Sequence, residues 1–439
     1  MTPNPTIMQA VEKLGYRVTV GDVSSQAGLN IAEASQGLLA LASDAGGHLQ
    51  VAETGDIVYQ FPRNFRDILR NKYLQMRLRE WWKKVWNVLF YLIRISFGIF
   101  LIVSIALITL TIIIIVTASN SDREGNDRGS SSREGGFFFF PFPDLFWYFS
   151  PNYYGTGYQE RQYQRQQRRG NQSNLNFFEA VFSFLFGDGN PNANLEERRW
   201  QEVAAVIGNH RGAVVAEQIS PYLDDLGESY TQEYEDYMLP MLTRFNGQPQ
   251  VSPEGQIVYY FPELQVKATK TSPQPVPSHL EEYPWRFSAA SSGQIMLAAG
   301  LGVLNLVAAL ILGGLIADGT AAAQLGGLVA FVQGVYWLLL GYGTGFLAVP
   351  LVRYLWIQWR NQKIAARNRD RLSRVKLLAN PDETLLRKID YAQQFTSEKV
   401  IGSEDLVYST ETDLLDQEVE RSAQIDAEWQ RRLQQGGRE

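Results

Sequence analysis

GDIVYQFP (residues 55–62) and GQIVYYFP (residues 255–262) are one eight-residue phrase written twice, 200 positions apart. In each, large apolar side chains recur at every second position, Ile57, Tyr59 and Phe61 and then Ile257, Tyr259 and Phe261. A period of two predicts a strand with one face in a core. ETGD (53–56) and SPEG (252–255) precede the two runs, so Gly55 and Gly255 are expected to close hairpin turns. Pro62 and Pro262, which have no N–H to give a ladder, are expected to end the strands.

The flanks repeat too. Upstream of the first phrase, PTIMQAVEKLG (5–15), TVGDVSSQAG (19–28) and NIAEASQGLLALASDAG (30–46) read as helices, and HLQVA (48–52) as the partner strand. Upstream of the second, RWQEVAAVIGNH (199–210), VVAEQISPYLDD (214–225) and YTQEYEDYMLPMLTRFNG (230–247) take the helical places, with PQV (249–251) as the strand. Three helices closed by a β-hairpin is the order of a winged-helix domain. Residues 1–63 and 200–264 are therefore predicted as two winged-helix-like domains of an α+β multi-domain membrane protein.

Charge decides what such domains could bind. Residues 1–62 carry two cations against six carboxylates, −4, and the would-be recognition helix has no Lys or Arg. Residues 200–264 carry two cations against ten carboxylates, −8. Such surfaces repel a phosphate backbone, so nucleic acid is excluded and a protein partner is expected.

Between and after the copies lie membrane-like runs. Residues 95–118, 295–316 and 325–352 are dominated by aliphatic and aromatic residues, and an apolar helix of about 20 residues crosses a hydrocarbon core. Glycines such as Gly313, Gly314, Gly341 and Gly345 predict close helix packing. GYGTG (341–345) is neither a dinucleotide loop nor a channel filter, because no strand or pore pattern surrounds it. Residues 64–94 read as a basic amphipathic helix on anionic lipid. Its collar includes Arg66, Arg70, Lys72, Arg77, Arg79, Lys83 and Lys84, with Trp81, Trp82 and Trp86 as an interfacial belt. A second collar, with Arg353, Arg360, Lys363, Arg367, Arg371 and Arg374, follows the third run. The positive-inside rule places both collars on the cytoplasmic side, whereas three crossings separate them.

Of the remainder, 119–176 reads as a flexible linker holding an aromatic interfacial segment at 137–154, and 177–199 as a short apolar helix and turn. A Pro-rich linker fills 265–290, and 353–439 is basic, then charged and helical. Asp188, Asn190, Asn192, Asn194 and Glu196 have a calcium-loop spacing, but Ala193 and Arg199 stand where glycine and glutamate are required. The chain has no cysteine, which excludes disulfides, thiolate catalysis and self-ligated iron–sulfur clusters, and its three histidines lie far apart. No catalytic, cofactor-binding or metal-ligating constellation emerges, and no enzyme activity is expected. MTPNPTIMQAVEKLGY at the N-terminus lacks the features of a signal peptide, so the first domain is expected to be cytoplasmic.

AVFSFLFGDGNPN (180–192), LEERRWQEVAAVI (195–207) and VVAEQISPYLDD (214–225) resemble a family of cyanobacterial membrane proteins with plant chloroplast relatives, over most of the chain. The resemblance implies a thylakoid or plasma membrane location and no catalytic residues. The plant relatives are loosely labelled as iron–sulfur cluster biosynthesis proteins, a role that without cysteine would be indirect. The expected function is a non-enzymatic membrane scaffold or assembly factor whose partners are lipids and another protein. A transporter or channel subunit is the alternative, and a membrane-tethered transcription regulator is disfavoured by charge.

Overall fold

Asn4, Thr19 and Asn30 each accept a backbone N–H from the first turn that follows, and each starts a helix there. These are α1 (Pro5–Lys13), α2 (Val20–Ala27) and α3 (Ile31–Ala45), with a strand β1 (Arg17–Thr19) between the first two. Gly28 and Gly46 end α2 and α3 in the left-handed conformation. The hairpin β2 (His48–Ala52) and β3 (Ile57–Gln60) follows, then α4 (Phe65–Lys72) and the long α5 (Leu74–Ser121). After α6 (Phe177–Phe186) the second copy runs α7 (Leu195–Asn209), β4 (Ala213–Val214), α8 (Ala216–Ile219), α9 (Leu239–Phe245), β5 (Gln248–Val251) and β6 (Ile257–Tyr260). Then come α10 (Pro262–Gln265), β7 (Val266–Lys267), α11 (Ser292–Ile316), α12 (Thr320–Leu325), α13 (Gly327–Ala379), α14 (Glu383–Gln393), β8 (Lys399–Val400) and β9 (Leu406–Ser409).

This computed structural model describes residues 4–121, 175–224 and 235–413, except Tyr73, Thr271 and Asp318, and isolated positions between 415 and 430. The predicted interfacial segment 137–154, and most of the linker and of the charged C-terminal helix, lie outside the described residues.

The two copies share one strand register. His48, Leu49, Gln50 and Val51 face Gln60, Tyr59, Val58 and Ile57. Gln248, Pro249, Gln250 and Val251 face Tyr260, Tyr259, Val258 and Ile257, the same pairs displaced by 200. Gly55 and Gly255 sit in the turns at φ +85° and +83°, where a Cβ would be strained. Tyr59 and Phe61, and Tyr259 and Phe261, are buried against the helices of their own copies. Each copy also has a third strand beyond the expected hairpin. β1 and β4 pair with the outer edges of β3 and β6, giving the orders β1-β3-β2 and β4-β6-β5. Pro262 begins α10 rather than merely ending a strand.

The described chain divides into two compact units. A repeat unit combines residues 1–82, 192–283 and 364–439, and a bundle unit combines 83–191 and 284–363. Three helices, Trp81–Ser119 within α5, α11 and α13, are long and apolar enough to cross a membrane. In the bundle unit α5 and α11 run the same way. Leu101 and Ile105 share a core with Ala298 and Leu301, while Ile108 and Ile115 share one with Ala309 and Ile316. α13 runs back, placing Phe346 in the first core and Val329 in the second. α6 packs in the first core, with Asp188 bound to Arg94 at 3.2 Å and the Leu175 carbonyl bound by Gln294 at 2.8 Å, in the first turn of α11. The chain therefore enters and leaves the bundle at one end. Arg94 on α5 and Arg353 on α13 both reach residues 183–188 at that end. The third apolar helix does not stop at residue 352 but continues unbroken to Ala379.

Candidate functional site

The repeat unit starts with a direct joint between the copies. Arg244, on α9, lays its guanidinium over Trp200 at 4.6 Å and donates from Nε to the Gly28 carbonyl at 2.9 Å. Gly21 on α2 lies so close to the Glu263 carbonyl that a Cβ would collide with it. The two copies thus pack helix to helix, α2 against α7 and α10.

A C-terminal arm then ties them together. β9 extends the first sheet, pairing Gln50 with Ser409 and Val51 with Tyr408. Ile401 and Ala268 bury Val58, on the sheet face that looks away from the helices. Arg17 donates to the Ile401 carbonyl at 3.0 Å, and β8 lies parallel to β7. On the second copy α14 takes this place, with Leu385 and Ala392 packed on Val258 and Val215. Lys388, 6% exposed, binds both oxygens of Glu217 at 2.9 Å and Glu235 at 2.6 Å, and Glu235 accepts from the Tyr259 hydroxyl at 2.7 Å. Burial and the hydrogen bond to Glu235 push the Tyr259 hydroxyl far above its ordinary range.

The distal part of α13 completes the arm. Arg371, fully buried, meets Glu282 at 2.8 Å and also pairs with Asp224, while Arg367 binds Glu282 at 2.6 Å. Arg374 donates to the carbonyls of Ser220 and Leu223 at 2.9 and 3.0 Å. Burial alone would raise Glu282, but hydrogen bonds and charge from Arg367 and Arg371 outweigh it and hold the carboxyl below its usual range. Asp22 goes the other way: burial raises it, although it accepts backbone N–H bonds from Thr19 and Ala268. Burial and the Glu202 charge push Tyr222 up to about 12.

These contacts correct two sequence expectations. Glu217, Asp224 and Glu235, counted toward an acidic surface, are counter-ions of Lys388 and Arg371. Of the second collar, Arg367, Arg371 and Arg374 tie the repeat unit together, and Arg353, Arg360 and Lys363 belong to the bundle unit. Arg353 donates to the Ser183 carbonyl at 3.2 Å and to that of Phe287. Arg360 and Lys363 lie over tryptophan rings.

At the first collar, Phe65 and Leu69 fill the first copy's core instead of facing lipid, and Arg66 binds Glu12. Arg70, Lys83 and Lys84 are exposed, whereas the side chains of Lys72, Arg77 and Arg79 lie outside the described residues. Of the glycines expected at helix contacts, Gly302 is pressed by Phe346, Gly313 by Tyr336 and Gly343 by Asn305, whereas around Gly314, Gly341 and Gly345 there is open space. A further close contact falls at Gly98 beside Phe178. Ile57 is 40% exposed, the one member of the first phrase's alternating set left outside the core, and Ile257 is partly buried.

Nothing in the sequence singles out Lys388 or Glu282, and Arg371 stands there only as one cation of the second collar. The partners of Lys388 lie 171 and 153 positions away, and nothing local marks them. Among the described residues no group of three or more His, Asp or Glu side chains is placed to hold a metal ion.

No family model matches the chain, and no solved structure matches it. It is 37% identical over 441 residues to the uncharacterized chloroplastic protein At5g03900 of Arabidopsis thaliana, an alignment that covers 98% of this chain and 82% of the plant protein. With that identity running through both copies and all three apolar helices, the chain belongs to the family of this chloroplastic plant protein.

Proposed function

We propose that the protein is an integral membrane scaffold or assembly factor. α5, α11 and α13 hold it in the bilayer, and its two copies, each a winged-helix domain, form one platform for a protein partner. The helix–strand–helix–helix–strand–strand order of each copy supports the winged-helix reading. The observation that carries the function is the fusion of the copies into one unit through α2, α7 and the C-terminal arm. α3, the counterpart of a recognition helix, exposes Gln36, Leu39 and Ser43 and has no cation, which suits a protein surface rather than a phosphate backbone. The common end at which the chain enters and leaves the bundle supports both copies sharing one compartment, the cytoplasmic side of a cyanobacterial thylakoid or plasma membrane. The plant relative's chloroplast address fits a photosynthetic membrane, where an indirect part in assembling iron–sulfur or photosynthetic complexes would lie.

The test is site-specific photo-crosslinking in intact membranes from Gln36 in the first copy and Gln248 in the second. One partner of the same mass from both positions is expected. Different partners from the two positions, or none from either, would sink the single-platform reading.

One observation favours transport as a second reading: Ser104 and Asn305, both buried, hydrogen-bond at 2.9 Å between α5 and α11. Intramembrane polar groups can line a path. Solute flux into proteoliposomes that falls in Asn305→Leu would promote that reading.

A further inference from the structure

The cations at the common end of the bundle fall into two classes. Arg94 is held by Asp188, and Arg353 by the carbonyls of Ser183 and Phe287, so both are occupied within the protein. Arg360 and Lys363 are different. The Arg360 guanidinium lies 5.1 Å from the Trp285 ring and 5.2 Å from the Trp356 ring, and these two indoles meet edge to face at 5.3 Å. Lys363 sits over Trp359 at 3.7 Å. Trp356 precedes Arg360 by four residues and Trp359 precedes Lys363 by four, so each indole lies one helical turn from its cation.

The arrangement is built rather than incidental. Trp285 is not on α13, yet Asn361 fixes its backbone from both sides, accepting from its N–H at 2.8 Å and donating to its carbonyl at 3.0 Å. Cation–π contact uses the face of a guanidinium and leaves the in-plane N–H donors at its edge. Neither Arg360 nor Lys363 has a carboxylate partner among the described residues, and the sequence has no Asp or Glu from 353 to 369. Trp356 and Trp359 are 40% and 54% exposed, and Val352 and Leu355 beside them are more exposed still. Exposed indoles next to exposed aliphatic side chains mark the depth at which lipid headgroups begin.

We propose that Arg360 and Lys363, oriented by Trp285, Trp356 and Trp359, form a binding site for the oxyanion of an anionic lipid headgroup. The inference rests on the membrane reading above. The guanidinium edge meets two oxyanion oxygens, the ammonium adds a point charge, and the exposed apolar residues beside the tryptophans receive the start of the acyl chains. Asn361 is a positioning residue, acting through Trp285.

The test uses the full chain in detergent, titrated calorimetrically with monomeric dihexanoyl phosphatidylglycerol, dihexanoyl phosphatidylcholine and inorganic phosphate. The glycerol lipid is expected to bind at least about tenfold more tightly than either other probe. Losing one surface cation is worth about 1 kcal/mol, so Arg360→Gln and Lys363→Gln should each weaken it about fivefold. Asn361→Ala should weaken it with both cations still present, Arg360→Lys should fall between wild type and Arg360→Gln, and Lys270→Gln, an exposed cation of the repeat unit, should change nothing. Equal affinity for the two lipids, unchanged binding in Arg360→Gln and Lys363→Gln, or phosphate binding as tight as the lipid would each overturn the proposal. Carbonate extraction of the same proteins from membranes separates the two levels. Extraction of the wild type defeats the membrane reading itself, whereas firm retention together with unchanged lipid binding in the variants defeats only the site.

Discussion

The first copy and the second are the same hairpin wrapped differently. Inside, the correspondence is close: Gly47 and Gly247 lie against Phe61 and Phe261, and the N–H groups of Phe61 and Phe261 both bond back to the residue before the first strand, Tyr16 or Gly212, at 2.8 Å. Outside, the copies part. The first lends its edge to β9, where Leu49 donates to the Thr410 hydroxyl at 2.9 Å and accepts from the Thr410 N–H at 3.0 Å. The second has Pro249 at the position of Leu49, an edge with its donor removed, and is covered by a helix with an ion cluster beneath it. The duplicated phrase thus specifies the face turned to the core, and the face turned outward is free to differ.

That comparison can be broken at three places. The largest effect belongs to the ion cluster. Lys388→Met leaves Glu217 and Glu235 without their cation and should cost the repeat unit about 3 kcal/mol in chemical denaturation. The first copy's nearest counterpart, the partly exposed pair of Lys399 and Asp56 at 3.1 Å, should cost under about 1 kcal/mol in Lys399→Met. Equal losses would mean that the two copies are not held differently. An intermediate effect comes from exchanging edges. Leu49→Pro should cost about 1–2 kcal/mol and open residues 403–413 to protease, while Pro249→Leu should stay within about 0.5 kcal/mol. Unchanged cleavage in Leu49→Pro would show that β9 does not depend on this edge. The smallest effect separates two tyrosines. Tyr259→Phe deletes the donor to Glu235 and should cost about 1 kcal/mol, whereas Tyr59, with no such bond among the described residues, should tolerate phenylalanine at close to no cost. A reversed order would place the hydroxyl's importance in the wrong copy.

What could be read from the sequence was local. The hairpins announced themselves through alternation and a glycine turn, α1 to α3 through caps and periodicity, and the apolar helices through length. β1 and β4 escaped because strands of three and two residues carry too little pattern. β9 escaped because its pairing partner lies more than 350 positions earlier. The second collar misled for a different reason. Arg371 and Arg360 look alike in a row of letters, yet one is buried on Glu282 and the other is exposed beside two indoles. A residue's type gives its charge and leaves open whether lipid or a distant carboxylate receives it. The same holds for Glu217 and Glu235, whose acidity counted toward a surface but is met by Lys388.

The fourth strand of the first sheet has a consequence in time. Residues 48–60 leave the ribosome well before their partner strand Leu406–Ser409. At about 5–20 residues per second, the roughly 350 intervening residues take on the order of 20–70 s to synthesise. Throughout that interval the edge of β2 is an open row of donors and acceptors. Closing it requires that every apolar helix has already emerged. Docking of β9 therefore waits on residues 61–405, and a product truncated before residue 406 keeps an adhesive edge by which quality control could single it out.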